Sequence, residues 1–499
     1  MADSNSADLH RFGYTQELFR EMGGFSNFAI SFSIISILTG AVTLYGYGLD
    51  LGGPLEMTLG WPVATLFTLT IAASMAELCS AYPTSGAMYH WATALGNPGL
   101  GWFVALLNIV GLIAAQAGIN YSCAQFILPF LRLPATTTNT LLVFVFTLIA
   151  HGILNQYGVK LVAWLNDLSV AIHILGVLAI VAGVFFFAPL QPVRFLFTSS
   201  PHPSIAAPYL WLFLLGLLQA QWTYTGFDGS AHMAEETLNA RKSAPWGIVL
   251  SVAVSGVVGY ALLIALTLAI HSVPMALSAK DAEGNAIPAA IAILQSGLGA
   301  KVGNALAALA SMAMWFCGLA CVTSTSRGVY ALARDRGLPS SRFFSRVNAK
   351  HGTPGPAIWT VVLASILVMV WSGAVPVVTS LSTVALYLAY IIPVVLGFRA
   401  RKRVPSWTAD ALWNLGSWGR WINIIAMVYA IVICVMLVMP PNQLAGNTLA
   451  GVIVVLVLIY WGSVRRHFKG PEWAHNAAVL GTGGDTRRLS GSDDRPHSR

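Results

Sequence analysis

The sequence predicts an all-α, polytopic membrane protein with 12 transmembrane helices. Of its 499 residues, 56% are hydrophobic and only 9% are charged, whereas soluble domains contain about 25% charged residues. The mean hydropathy is +0.70, and long apolar stretches recur along almost the whole chain. Each is at least about 17 residues long, which a helix needs to cross roughly 30 Å of hydrocarbon. These observations exclude an ordinary cytosolic enzyme, a disordered protein and a coiled coil.

Twelve apolar stretches, numbered here as spans 1 to 12, follow one another along the chain. They are predicted at 25–49, 61–81, 99–129, 139–156, 159–188, 208–236, 246–271, 303–334, 355–373, 376–398, 418–439 and 447–464. The connections are short except at 189–207 and 272–302, so no soluble catalytic domain fits between the spans. The first 24 residues are polar, and we expect no cleavable signal peptide there.

The positions of the basic residues predict the orientation in the membrane. With both termini in the cytoplasm, 22 of the 27 Lys and Arg residues lie on the cytoplasmic side, four lie outside, and Arg327 lies within a span. Cytoplasmic loops of membrane proteins are enriched in Lys and Arg, so this distribution predicts that both termini are cytoplasmic. The expected location of this multi-pass protein is the plasma membrane. The net charge of +8 therefore reflects topology, and no nucleic-acid partner is predicted.

No metal, cofactor or catalytic site is predicted. The five cysteines lie in or beside apolar stretches and suggest no disulfide framework. Cys317 and Cys321 share one helix face, but without His or Asp nearby packing is favoured over metal binding. The sequence contains no HExxH, nucleophile-elbow, paired-aspartate or Walker A motif and no selectivity-filter sequence. The chain is therefore expected to be neither an enzyme, an ATP-driven pump nor a channel.

Two spans carry glycine interruptions at matching positions. Span 1 contains Thr39-Gly40, and span 6 contains Thr225-Gly226 followed by Asp228. Glycine weakens a helix by about 1 kcal/mol relative to alanine, and unwound backbone is tolerated inside the membrane only where it lines a cavity. Glycines also permit close helix packing, which is the alternative interpretation. Because the interruptions are paired, they favour a transporter with an internal repeat.

Four segments of the chain are specific enough to indicate a family. They are QELFREMGGFSNFAISFSIISILTG at 16–40, AELCSAYPTSGAMYHW at 76–91, TGFDGSAHMAEETLN at 225–239 and SRGVYALARDRGLP at 326–339. Together they resemble the amino acid–polyamine–organocation permeases, most closely the branch with GABA, amino-acid and choline permeases. The resemblance covers residues 10–466 and implies a five-plus-five inverted repeat with broken helices 1 and 6. The implied organisation is a cytoplasmic segment at 1–24, spans 1–5 in 25–200, spans 6–10 in 201–400, spans 11–12 in 401–466 and a disordered cytoplasmic tail at 467–499.

The resemblance also implies that the substrate lies between the breaks in spans 1 and 6, which it places at 37–41 and 222–228. Such breaks expose amides that suit a carboxylate and carbonyls that suit an ammonium group. Aromatic side chains nearby can cover a cationic ligand, although packing is the alternative role. Where many relatives carry Glu in span 6, this chain has Asp228, whose reach is shorter. The predicted substrate-binding residues are Ile37, Leu38, Thr39, Gly40, Ala41, Trp222, Tyr224, Thr225, Gly226, Asp228 and Trp315.

Ionisable and hydroxyl groups within the spans are candidates for coupling and gating. His173 in span 5 lies where several proton-dependent relatives place a titratable Lys, although a neutral structural histidine is an equal alternative. Sodium coupling would instead use the hydroxyls of Thr323, Ser324 and Thr325 in span 8. An ion-pair gate is predicted from Arg327 with Glu77, Glu235 and Glu236, and a static ion pair is the alternative.

The predicted function is a secondary active transporter that imports an amino acid or a GABA-like small amine by alternating access. Proton symport is favoured over sodium coupling. The alternatives are a choline or polyamine permease and an amino-acid exchanger. The expected partners are the small-molecule substrate, the coupling ion and the lipid bilayer.

Overall fold

A computed structural model describes residues 16–134, 136–199, 207–280, 284, 286–372, 375–403, 408, 411–440, 442–471 and 473. Most of the predicted N-terminal segment and of the predicted tail lies outside these residues. Within them the chain forms helices and turns, with three isolated bridges and no β-strand. The prediction of an all-α protein is confirmed.

Twelve spans are present in the described part of the chain. Eleven helices there are long and apolar enough to cross a membrane. The principal helices of these spans are Gly24–Ile35, Ile37–Thr43, Tyr45–Leu55, Trp61–Ala81, Pro98–Ile127, Thr137–Tyr157, Val159–Phe187, Ala240–Leu268, Ala300–Arg334, Gly355–Ser372, Val375–Arg403, Gly419–Val438 and Gln443–Ile459. Span 6 is the twelfth, and its helices Tyr209–Gly216, Leu218–Thr223 and Gly229–His232 are too short to span alone.

Short elements join the spans. Short α-helices lie at Met88–Leu95, Val273–Leu277, Ala289–Leu298, Ser341–Phe344 and Arg465–His467. Two π-helical turns lie at Glu56–Gly60 and Tyr460–Val464, and 3-10 turns lie at Val193–Phe197, Ala234–Glu236 and Gly416–Trp418. We call the end of the bundle that carries residue 24 the inner end and the opposite end the outer end.

Span 1 is broken at Ser36, one residue before the predicted interval. Ser36 has a φ of 37°, and residues 37–41 belong to the helix Ile37–Thr43. The prediction of a broken helix 1 is therefore confirmed, although the residues assigned to the break are helical. The carbonyl of Ser36 accepts the amides of Thr39 and Gly40 at 2.8 and 2.9 Å. A new helix therefore starts at Ser36, and Gly40 within it serves close packing instead of unwinding.

Span 6 is broken between Tyr224 and Asp228, within the predicted interval of 222–228. Residues 222 and 223 still belong to the helix Leu218–Thr223, and the next helix starts at Gly229. Gly226 has a φ of +87°, which residues with a side chain rarely adopt. The prediction of a broken helix 6 is confirmed.

The outer connection between spans 1 and 2 is buried, although the sequence predicts a loop at 50–60. The helix Tyr45–Leu55 turns at Gly53, whose φ is 69°, and Pro54 follows. The π-helical turn Glu56–Gly60 then leads directly into span 2, and four of its five residues are buried. The polar residues of this segment are therefore held inside the bundle.

The broken spans lie at the centre of the bundle. Span 1 packs against spans 5, 7 and 8, and span 3 packs against spans 8 and 10. Large apolar side chains such as Phe146 and Phe186, 74% and 80% exposed, point outwards. Such a surface is what lipid contact requires.

Candidate functional site

A small cavity lies between the two breaks. Its volume is about 10 Å³, room for about one water molecule. Its lining residues come from spans 1, 3, 6 and 8 and are Ile34, Ile35, Thr39, Gly40, Leu112, Ala115, Ile119, Trp222, Thr223, Thr225, Gly226 and Cys317. The structure is therefore closed around this point, and an amino acid would require the surrounding spans to separate.

Five of the predicted substrate-binding residues line this cavity: Thr39, Gly40, Trp222, Thr225 and Gly226. Gly40 sets the approach of span 1 to span 6, because a methyl group at this position would lie 2.7 Å from the Cα of Thr223. Only 3% of Trp222 is exposed, so its ring closes one side of the cavity.

Six predicted residues lie outside the lining: Ile37, Leu38, Ala41, Tyr224, Asp228 and Trp315. The carbonyl of Ala41 accepts a hydrogen bond from Gln219 at 3.1 Å. The ring of Tyr224 packs 4.9 Å from that of Trp61. Trp315 is half-buried, and its ring lies 4.8 Å from His151 of span 4. In this conformation these residues support the bundle around the cavity.

Side chains satisfy the backbone groups that the breaks leave free. The Cys317 thiol donates to the carbonyl of Ile34 at 3.2 Å, and the Ser31 hydroxyl donates to the carbonyl of Phe227 at 2.7 Å. The amide of Gly226 donates to the hydroxyl of Tyr390 at 3.1 Å. Unwound backbone persists inside a membrane only with such partners. These hydrogen bonds therefore stabilise the two breaks.

Asp228 is held by three side chains at the inner side of the span 6 break. Its carboxylate accepts the Tyr390 hydroxyl at 2.6 Å and the Asn108 amide group at 2.8 Å. The Nε2 of His232, four residues later, lies 3.3 Å from the same carboxylate. The shorter Asp side chain is therefore fully used in contacts within the protein.

His232 links Asp228 to two further groups. Its Nδ1 lies 2.9 Å from the carbonyl of Ser85, and its Nε2 lies 3.0 Å from the side-chain oxygen of Asn108. The Asn108 amide group in turn donates to Asp228. His232 and Asn108 therefore connect the Asp228 carboxylate to the backbone of Ser85.

His173 contacts the span 1 break directly. Its Nε2 lies 2.6 Å from the hydroxyl of Ser36, and its Nδ1 lies 2.8 Å from the carbonyl of Ser169. The carbonyl requires a proton on Nδ1. The Ser36 hydroxyl can either donate to Nε2 or accept from it, so this contact suits both protonation states of the ring.

The hydroxyls of span 8 do not line the cavity. Thr323 donates to the Asn155 side chain at 2.6 Å, and Thr325 donates to the carbonyl of Cys321 at 2.7 Å. The hydroxyl of Ser324 is buried without a hydrogen-bond partner among the described residues.

Two ion pairs close the inner end between spans 6 and 8. Arg327 binds Glu236, with its Nε 2.7 Å from the carboxylate, and both side chains are at most 1% exposed. Arg334 binds both oxygens of Glu235 at 2.8 and 2.9 Å. The Glu235 carboxylate also accepts the amide of Ser85 at 3.0 Å.

Glu77 belongs to a different contact. Its carboxylate binds Arg401 at the end of span 10 and accepts the amide of Leu415 at 3.0 Å. Of the predicted gate residues, only Glu235, Glu236 and Arg327 therefore lie together between spans 6 and 8.

The segment before span 1 completes the inner closure. The amide of Met22 donates to the carbonyl of Glu236 at 2.9 Å, and the amide of Leu238 donates back to Met22 at 2.8 Å. The Tyr330 hydroxyl donates to Glu17 at 2.7 Å.

Sequence reasoning missed Asn108, His232, Tyr390 and Arg334. His232 and Arg334 fall within the quoted motifs, and the Asp-x-x-x-His spacing of span 6 places both side chains on one helix face. Asn108 and Tyr390 carry no comparable signal, because they approach Asp228 from other spans.

A family model described as "Amino acid permease" matches residues 22–463. Over 94% of its length the chain is 35% identical to the "Amino-acid permease BAT1 homolog" of Oryza sativa subsp. japonica, 96% of which is covered. It is 32% identical, with the same coverage, to the "Amino-acid permease BAT1" of Arabidopsis thaliana. "Amino-acid permease 2" of Neurospora crassa is 26% identical over 95% of the chain and 90% of its own length.

Proposed function

Because the chain belongs to the amino acid permease family of the amino acid–polyamine–organocation superfamily, we propose that it imports an amino acid or a GABA-like small amine by proton symport. It is a multi-pass membrane transporter and not an enzyme. The proposal places it in the plasma membrane with both termini in the cytoplasm. The inner end of the bundle is then the cytoplasmic end.

The observation that carries this proposal is the cavity between the two broken spans. Thr39 and Gly40 of span 1 line this cavity together with Trp222, Thr225 and Gly226 of span 6. We propose that the amides at the start of the helix Ile37–Thr43 bind the substrate carboxylate, while carbonyls of the breaks bind its ammonium group. Trp222 would cover the bound substrate.

Alternating access is part of this proposal, and the closed cavity supports it. Its volume of about 10 Å³ is too small for any amino acid, and we propose that spans 1 and 6 separate on one side at a time to admit the substrate. On the inner side, separation requires the pairs Arg327–Glu236 and Arg334–Glu235 to part. These pairs are proposed as the inner gate.

Proton coupling is proposed at His173. In the neutral form its Nε2 accepts the Ser36 hydroxyl. A second proton would turn Nε2 into a donor, so the Ser36 hydroxyl must rotate towards Thr39, whose oxygen lies 2.5 Å away. Protonation thus acts on the residue at which span 1 is broken. Sodium binding at Thr323, Ser324 and Thr325 is the alternative.

Asp228 favours a substrate with a carboxylate over choline. Choline has no carboxylate, and its quaternary ammonium group would be bound by aromatic side chains and by Asp228. The Asp228 carboxylate is already bonded to Tyr390, Asn108 and His232 outside the cavity lining. Choline and polyamine transport, and exchange without an ion, remain the alternatives.

The decisive experiment is radiolabelled uptake into proteoliposomes. The panel contains GABA, alanine, glutamate, arginine and choline, each with an imposed proton gradient, sodium gradient or internal counter-substrate. We expect saturable uptake of an amino acid or GABA that a proton gradient stimulates. Uptake of choline alone contradicts the substrate proposal, and stimulation by sodium alone contradicts the coupling proposal.

A further inference from the structure

Glu56 is a buried carboxyl group at the outer end of the bundle. It begins the π-helical turn Glu56–Gly60 between spans 1 and 2, and 0% of the residue is exposed. Neither carboxyl oxygen has a hydrogen-bond partner among the described residues. The site described above does not use this residue.

Four glycines enclose the Glu56 side chain. A methyl group at Gly48 would lie 2.7 Å from Oε2, and one at Gly60 would lie 2.8 Å from Oε1. Methyl groups at Gly52 and Gly216 would lie 2.8 and 3.0 Å from Cγ. The Glu56 side chain therefore occupies the space between the outer part of span 1, the turn that leads into span 2, and the outer half of span 6. These elements pack together here with the carboxyl group between them.

No charge in the described chain compensates a carboxylate at this point. The hydroxyls of Tyr45 and Tyr209 are near enough to interact electrostatically, but they bond to Thr267 and to a backbone carbonyl. Of the charged groups on neighbouring elements, Arg194 is exposed and Asp50 is itself anionic. A buried, unpaired carboxylate is strongly unfavourable.

We propose that Glu56 binds a proton in the closed conformation and releases it when the outer ends of spans 1 and 6 separate. Separation would admit water to the carboxyl group, and hydration stabilises its ionised form. Closure expels that water and leaves only the neutral acid compatible with the glycine enclosure.

A proton fits this site better than a metal cation. A sodium or divalent cation needs several oxygen ligands, and the described residues contain no group of three His, Cys, Asp or Glu side chains that could hold a metal ion. Apolar carbons of Met57 and Leu217 lie beside Gly48 and Gly60, two of the glycines that enclose Glu56.

Protonation of Glu56 is tested by infrared difference spectroscopy of the full-length protein between acidic and alkaline pH. We expect the carbonyl stretch of a neutral carboxylic acid at neutral pH in the wild type, its loss in Glu56→Gln and its retention in Asp50→Asn. Asp50 is a matched control, because it is a half-buried carboxylate six residues away. A band unchanged in Glu56→Gln, or absent from the wild type, overturns the proposal.

Thermal unfolding gives an independent readout. If the folded protein holds a proton that the unfolded chain releases at neutral pH, raising the pH favours unfolding. The melting temperature of the wild type and of Asp50→Asn should then fall more steeply with pH than that of Glu56→Gln. Equal slopes overturn the proposal. If Glu56→Gln does not fold, Glu56→Leu replaces it in this comparison of pH dependence, because a leucine side chain needs no hydrogen-bond partner.

The link to transport rests on the proposed function and is tested separately. In Glu56→Gln, stimulation of radiolabelled GABA or alanine uptake by a proton gradient should be lost, while exchange at equal pH persists. Wild-type stimulation in this variant overturns the link. Sodium-driven uptake by the wild type would refute the proposed proton symport, whereas the infrared band reports on Glu56 alone.

Discussion

Gly40→Ala tests the close approach of spans 1 and 6. Gly40 lies within the helix Ile37–Thr43, so alanine suits its backbone. The added methyl group, however, would lie 2.7 Å from both Cα and Cβ of Thr223, and closer still to its hydroxyl. Carbon atoms in contact are normally about 3.5–4.0 Å apart. Spans 1 and 6 would therefore have to separate by about 1 Å.

The effect on stability is expected to be small and the effect on transport large. Overpacking destabilises a folded protein by about 1–3 kcal/mol. Replacing a helical glycine by alanine stabilises the helix by about 1 kcal/mol. The net destabilisation is then about 0–2 kcal/mol. The displaced backbone lines the cavity, so substrate contacts made by Thr39 and Gly226 should be lost. We expect uptake to fall at least tenfold.

Gly451→Ala is the matched control. Gly451 lies in the helix Gln443–Ile459 of span 12, and a methyl group there meets nothing within 4 Å. It should keep wild-type uptake and a melting temperature at or slightly above that of the wild type. Both variants are compared in one detergent for melting and in proteoliposomes for uptake of the transported amino acid.

A second substitution sharpens the test. Adding Thr223→Ala to Gly40→Ala removes the hydroxyl contact but keeps the contact with the Thr223 Cα. Uptake should therefore recover only in part. Wild-type uptake by Gly40→Ala alone would refute the reasoning, because it would show that the two spans need not touch here.

Three further substitutions test the proposed gate, coupling group and substrate cover. Trp222→Ala should raise the substrate concentration for half-maximal uptake more than it lowers the melting temperature, and an unchanged affinity would assign Trp222 to packing. His173→Gln should lose proton-driven uptake between external pH of about 5.5 and about 8 while exchange at equal pH survives; a wild-type pH profile would contradict this. Glu236→Gln leaves the Arg327 charge buried without its partner, so thermal unfolding should reveal a loss of about 3–5 kcal/mol. The double variant with Arg327→Met should recover much of that loss, and if it does not, the pair is not the cause.

The number of spans and the broken helices could be predicted because both depend on local sequence. Apolar length alone defines a span, and Thr225-Gly226 lies where span 6 unwinds. The exact position of the break in span 1 was harder to predict, because it falls on Ser36 and not on the nearby Gly40. Ser36 adopts its left-handed conformation with support from His173 and Thr39, one of them 137 residues away in sequence.

Pairing between charged residues could not be predicted, because it depends on how the spans assemble. Glu77 and Arg401 are 324 residues apart, and nothing local distinguishes Arg401 from the other basic residues of its segment. The same holds for Glu56, which lies in a predicted loop and is buried only because four glycines from three spans leave room for it.

A continuous set of hydrogen bonds connects the cavity with the inner end. From the amide of Gly226 it runs through Tyr390 to Asp228. His232 then binds the carbonyl of Ser85, whose amide donates to Glu235 of the inner ion pair. Tyr390, which bonds to the Gly226 amide, and Glu235, which binds Arg334, are thus connected through Asp228, His232 and Ser85. If the inner ion pair parts, we expect Glu235 to draw the Ser85 amide with it, and the Ser85 carbonyl is one partner of His232. Because His232 also contacts Asp228 and Asn108, the Asp228 contacts that position Gly226 are expected to rearrange in the same step. Opening of the inner end and enlargement of the cavity are therefore expected to occur together.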